Sequence, residues 1–182
     1  MIFTQTELKD AYIIEPKRIE DERGAFVQVW DAAAFERLGL PTRIVLINES
    51  YNRRRGTLRG MHFQRAPYAQ AKLVRCIRGA LHDVIVDLRP DSPSYLRWIG
   101  VDLTEENGRM LYVPEGFAHG FQTLVDDTRI QYQVSEVYAP QAEGGYRYDD
   151  PAFGISWPLP VTSISQKDLS WPPYDGAPPA HT

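Results

Sequence analysis

The sequence predicts an all-β fold, a two-sheet sandwich or closed barrel with a few short helices. Three observations predict it. Eight short runs rich in β-branched and aromatic residues occupy 43–50, 57–63, 72–78, 81–89, 96–103, 109–114, 117–124 and 128–138. Turn formers separate several of them, at Arg78-Gly79, Pro90-Asp91-Ser92-Pro93, Glu106-Asn107-Gly108 and Asp126-Asp127. Strand runs recurring about every 8–12 residues belong to sandwiches and barrels. Against them stands one full helical pattern, DAAAFERL at 31–38, with Asp31 placed to cap its N-terminus. The segment LTEEN at 103–107 reads as a helical turn between strands.

The 182 residues are 43% hydrophobic and 24% charged, an ordinary globular balance. No repeat or linker precedes residue 172, so one domain is expected over 1–171, followed by a loose Pro-rich tail over 172–182. His181 lies in that tail and is set aside. A net charge of -4 gives no reason to expect a nucleic-acid or membrane partner. No signal-type h-region and no apolar run of membrane-spanning length is present, so a soluble cytoplasmic protein is expected. The single cysteine, Cys76, excludes an internal disulfide and reads as a small core residue.

Alternate residues of a strand face opposite ways. Ile130, Tyr132 and Val134 therefore share a face, which turns Tyr132 inward, and Phe117, His119 and Phe121 do the same for His119. Lys72 falls in with Val74 and Cys76. An inward Lys is costly unless something uses it, and a surface Lys with its parity shifted by a bulge is the competing reading. In GTLRGMHFQ (56–64), Arg59 and His62 stand three apart and would face opposite ways on a regular strand. Gly60 between them allows a bulge that brings both to one cavity.

Two spacings narrow the fold. Gly108, five residues, Pro114, one residue, Gly116, two residues and His119 resemble the second motif of the cupins, small jelly-roll barrels built as double-stranded β-helices. Gly56 followed by five residues and His62 resembles the first. Metal-binding cupins carry a second His where this chain has Gln64, a Glu near Tyr68 and Ala69, and an Asn where this chain has Thr123. His62 and His119 alone are too few for a conventional metal site.

Over nearly its whole length the chain resembles one cupin family, the dTDP-4-dehydrorhamnose 3,5-epimerases. The resemblance rests on DERG (21–24), GTLRGMHFQ (56–64), AKLVRCIRGALHDVIVDLRPDSP (71–93), VPEGFAHGF (113–121), IQYQ (130–133), DDPAFGI (149–155) followed by WPL, and SQKD (165–168). It implies a homodimeric enzyme without metal or cofactor that inverts stereocentres of a nucleotide-linked 4-keto-6-deoxyhexose. It further implies His62 as general base with Asp168 behind it, Tyr132 as general acid, and Lys72 and Arg59 against the substrate. Arg23, Phe26, Gln28, Ile47, Asn48, Glu49, His119, Glu143 and Lys167 fall on binding positions, some reached across the dimer interface, and Tyr138 on a residue that stacks on the nucleotide base.

The chemistry suits those residue types. Removing a proton beside a ketone calls for a base with a pKa near the operating pH, which neutral His supplies. A carboxylate behind the ring holds its tautomer. A cation near the ketone stabilises the enolate more than the ground state. Inversion requires the proton to return from the opposite face, so His62 and Tyr132 must flank the sugar. The other polar candidates have plainer readings. Arg23 suits a turn ion pair, Arg53-Arg54-Arg55 a solvated loop, and Trp157 and Trp171 packing, while Asp83 stands where it could orient His119 or make an unrelated hydrogen bond.

Two departures fall on binding positions. Gln28 replaces a Glu typical of the family, and Ile47-Asn48-Glu49 replaces Gln-Asp-Asn. Either the two changes compensate and dTDP still binds, or the nucleotide differs, with CDP next. A single-position epimerase, a ketoisomerase and a non-catalytic sugar-binding cupin stay open.

Overall fold

The computed structural model describes residues 1–177. Thirteen strands follow in order: β1 Ile2–Gln5, β2 Tyr12–Glu15, β3 Lys17–Asp21, β4 Gly24–Gln28, β5 Leu46–Asn52, β6 Leu58–Gln64, β7 Lys72–Arg78, β8 Ala80–Asp87, β9 Trp98–Thr104, β10 Met110–Val113, β11 Phe117–Thr123, β12 Thr128–Val134 and β13 Glu143–Gly145. Helix α1, Ala32–Glu36, lies between β4 and β5, and α2, Gln166–Leu169, follows β13. All named strand pairs are antiparallel. One sheet runs β1-β2-β10-β7-β12-β5, the other β13-β6-β11-β8-β9, and β3 and β4 form a separate hairpin. This is the double-sheet jelly roll of a cupin, as expected from the two motif spacings.

Strand parity builds the interior. Val74 and Cys76 of β7, Leu111 and Val113 of β10 and Ile130 of β12 meet Ile85 of β8, Leu103 of β9 and Phe121 of β11 between the sheets. Alternate residues face outward and are covered as well. Val84, Val86, Met61 and Phe63 pack beneath Tyr146, Phe153 and Tyr174, and Leu73, Met110 and Tyr112 pack with Phe35 of α1. Strands buried on both faces read as continuous apolar runs rather than alternations, which explains VIV at 84–86. Burial pushes the Cys76 thiol up to about 11, the state of an inert core cysteine.

The eight strand runs appear, some shifted by a few residues; the last ends at Val134, short of the expected 138. Helix α1 stops at Glu36, and Asp31 caps it by accepting from the Ala34 N–H. Five strands and α2 were not expected from the pattern. β3 is exposed throughout, so it carries no apolar alternation, and β13 is Glu-Gly-Gly. Within the Pro-rich end expected to be loose, Tyr174 is packed. Its hydroxyl shares a 2.6 Å hydrogen bond with Tyr95, and its N–H donates to Asp150. His181 lies outside the described residues. No helix among those described is long and apolar enough to cross a membrane.

Candidate active site

The site begins with a bulge. On β11, His119 pairs with His62 and Phe121 pairs with Arg59, so β6 fits one extra residue into the interval. Gly60 takes a φ of +144°, and a Cβ there would lie 2.6 Å from the Gly120 Cα. Only Gly permits that approach. The extra residue turns Arg59 to the same cavity as His62, and Arg59 Nε donates to Asn52 Oδ1 at 2.8 Å.

The cavity has an outer chamber of about 430 Å³ and an inner one of about 100 Å³. His62, Lys72 and Tyr132 line both. His62 enters from one sheet, and Lys72 and Tyr132 enter from neighbouring strands of the other. Arg59 and His119 close the inner chamber, and Asn48, Tyr138, Glu143 and Lys167 line the outer one.

His62 Nε2 lies 2.7 Å from Asp168 Oδ1. Asp168 is buried, at 3% exposure. Burial pushes its carboxyl up, but the hydrogen bonds from His62 and the Gly60 N–H, with the field of His62, outweigh burial and hold it below the usual carboxylate range. An ionised carboxylate only accepts. His62 Nε2 therefore carries the proton, and Nδ1 is the basic nitrogen of the neutral ring. Ser165 fixes the carboxylate by capping α2, accepting from the Asp168 N–H at 3.0 Å.

Lys72 projects inward, as its parity indicated. Burial lowers its pKa to about 8, against the pull of Asp83 and Glu143. Asp83 Oδ1 lies 2.7 Å from His119 Nε2, and Asp83 Oδ2 is buried with no hydrogen-bond partner among the described residues. At the rim, Glu143 accepts from the Tyr138 hydroxyl at 2.8 Å and from Lys167 Nζ at 2.6 Å. Those bonds raise the Tyr138 phenol and the Lys167 ammonium. Burial pushes the Glu143 carboxyl up, yet Lys167 and Tyr138 outweigh it and hold it low.

The two positions where metal cupins carry ligands have other partners here. Gln64 donates to the Tyr68 and Val137 carbonyls and accepts from the Ala139 N–H. Thr123 donates to the Arg54 carbonyl and accepts from the Thr57 N–H. Gln64, with Gln70 bonded to the Glu136 and Val137 carbonyls, clasps the segment that presents Tyr138.

The remaining candidate residues do not converge on the cavity within one chain. Arg23 sits at the β3–β4 turn and pairs with Asp21. Phe26 is 69% exposed, and Gln28 ends the hairpin strand β4. Of Ile47, Asn48 and Glu49, only Asn48 lines the cavity. Strand parity turns Ile47 and Glu49 outward, where Glu49 pairs with Arg129 at 2.9 Å. Asn52, which pattern reading passed over, and Trp171, which it assigned to packing, belong to the site: Asn52 holds Arg59, and the Trp171 ring centroid lies 6.3 Å from that of His62. Neither carries a sequence signal beyond its residue type.

A family model described as dTDP-4-dehydrorhamnose 3,5-epimerase matches residues 5–175. A protein of that name from Methanothermobacter thermautotrophicus is 48% identical over 174 residues, covering 94% of this chain and 93% of its own. The crystal structure of a dTDP-4-dehydrorhamnose 3,5-epimerase from Elizabethkingia anophelis superposes with a TM-score of 0.93 at 40% identity, covering 98% of each chain. One from Bacillus anthracis, with TDP and PPi bound, gives 0.92 at 41% identity, covering 95% of this chain and 99% of that one.

Proposed function

The chain belongs to the dTDP-4-dehydrorhamnose 3,5-epimerase family, and from the site it carries we propose that it epimerises dTDP-4-dehydro-6-deoxyglucose at carbons 3 and 5 through an enolate. One observation carries the reading. The buried, ionised Asp168 takes the His62 Nε2 proton as a hydrogen bond, leaving Nδ1 as a base in a cavity that Tyr132 and Lys72 enter from the opposite sheet.

Each step then has a group. His62 Nδ1 removes the proton beside the ketone, and Asp168 stabilises the imidazolium that forms. The electron pair moves onto the ketone oxygen, where the Lys72 ammonium offsets the new charge in a site partly withdrawn from water. Tyr132 returns a proton to the opposite face of the carbon, and the ketone reforms with the centre inverted. Arg59, His119, Glu143 and Lys167 bind the substrate, and Tyr138 offers its exposed ring at the rim to the base.

The protein acts as a homodimer whose sites are completed across the interface. Support comes from the apolar exposure of Ile19 (53%), Phe26 (69%) and Ile47 (59%) on the hairpin and β5, because apolar surface of this kind marks interaction faces. Arg23, Phe26 and Gln28 then serve the partner's cavity. The nucleotide remains dTDP: Glu49, the changed acidic position, is neutralised by Arg129 outside the cavity and adds no charge to the interior of its own chain.

The test is NMR of dTDP-4-dehydro-6-deoxyglucose with the pure protein in deuterium oxide, the CDP analogue run in parallel and the sample's mass checked by sedimentation. Deuterium at carbons 3 and 5 of the dTDP sugar, with inversion, and a sedimenting mass twice that of the chain are expected. Label at one carbon makes the protein a single-position epimerase. Exchange with the CDP sugar alone overturns the nucleotide assignment, and exchange with neither overturns the catalytic reading.

A further inference from the structure

We infer that Trp171 and Gly145 form one positioning device for His62, an aromatic wall and the slot that admits it. The inference rests on the reading of His62 as the base. Gly145 of β13 is the register partner of His62 on β6. Facing residues of an antiparallel pair share a face, so whatever lies over Gly145 lies beside the imidazole. The indole of Trp171 lies there. A Cβ on Gly145 would stand 2.4–2.6 Å from Trp171 Cε2, Cδ2 and Nε1, too close for any side chain. The φ of this glycine is not in the left-handed region, so the residue is demanded by space rather than by backbone conformation.

The indole meets His62 edge to face, at an interplanar angle of 64°, a favoured aromatic geometry. Its Nε1–H is buried without an acceptor among the described residues. Among the described residues no hydrogen bond from Nε1 holds the indole, and its packing over Gly145 does. Trp171 stands three residues after Asp168, just beyond α2, and Lys167 Nζ lies 5.7 Å from the centre of its ring. Helix α2 is only four residues long, so its hold on the barrel depends on contacts such as that of Trp171 with Gly145 of β13. Trp171 thus bounds both partners of the dyad. It limits the swing of the imidazole and anchors the short helix that brings Asp168 to it. A small displacement of a catalytic group is expensive in rate, while Lys167, the substrate-binding group over the indole, stays held by its two bonds to Glu143.

Four variants test this. Trp171→Leu keeps apolar bulk but loses the flat wall, and it should lower kcat by about tenfold or more while leaving KM within about twofold. Trp171→Phe keeps a ring and drops the orphan N–H, and should restore kcat. Gly145→Ala should reproduce the loss by evicting the indole, and adding it to Trp171→Leu should cost nothing further, because Leu can move aside. Long-range proton–nitrogen NMR of His62 reads the device without turnover: one Nε2–H tautomer is expected in the wild type, and a mixture in Trp171→Leu. Additive losses in the double variant, or an unchanged His62 spectrum with unchanged kcat in Trp171→Leu, overturn the inference. If the wild type exchanges no deuterium into substrate, the functional reading fails, while the His62 spectra still decide whether the indole holds the ring.

Discussion

His62→Gln is expected to lower kcat by about 10²–10⁴-fold and to abolish deuterium entry into the substrate, with dTDP affinity and melting temperature nearly unchanged. Gln places its amide where Nε2 of the ring stands but has no basic nitrogen at neutral pH. It can still donate to Asp168, so the buried carboxylate keeps a partner and the fold loses little. His119 repeats the pairing, 2.7 Å from Asp83, but it is buried and lines only the inner chamber, whereas His62 opens to both. Glu143 has both oxygens bonded to Lys167. Single-turnover NMR in deuterium oxide checks the outcome. Residual exchange near the wild-type rate would assign the base elsewhere.

Lys72→Met should remove the stabiliser of the enolate oxygen and lower kcat by two to three decades, about 3–4 kcal/mol. It carries two further signatures. The Lys72 ammonium, with its pKa brought to about 8 by burial, is charged below that pH and neutral above it. Wild-type kcat/KM should therefore fall as pH rises through about 8, because this profile reports groups of the free enzyme. The methionine variant should lack that limb. The second signature is stability. The folded-state pKa lies below the ordinary value of 10.5, so the buried charge penalises the fold in full below about pH 8, and the penalty fades as pH approaches 10.5. Lys72→Met should accordingly raise the melting temperature at pH 7, with a gain that vanishes near pH 10.5. A less stable and fully active variant would contradict both assignments.

Much of the barrel was legible because it depends on local pattern. The alternation in TRIQYQV placed Tyr132 inward, and the parity of KLVRCIR placed Lys72 beside Val74 and Cys76. Gly60 between Arg59 and His62 foretold the bulge that the register of β6 and β11 contains. What escaped is non-local. His62 and Asp168 are 106 residues apart in sequence, and only the family resemblance joined them. The β3–β4 hairpin buries no side chain in its own chain, so it left no apolar rhythm to read. Trp171 read as packing, which it is, but its neighbour His62 lies across a strand pairing that Glu-Gly-Gly hardly announces. The same holds for Gln64: the departure from a metal-binding motif was visible, while its bonds to Tyr68, Val137 and Ala139 needed the folded chain.

On the proposed mechanism His62 and Tyr132 work on opposite faces of one enolate. Tyr132→Phe tests it most directly, with substrate carbons 3 and 5 followed by NMR in deuterium oxide. Deuterium should still enter, because His62 still removes and returns a proton, with configuration retained because nothing delivers one from the other side. Inversion at the wild-type rate, or exchange lost as completely as in His62→Gln, would rule it out.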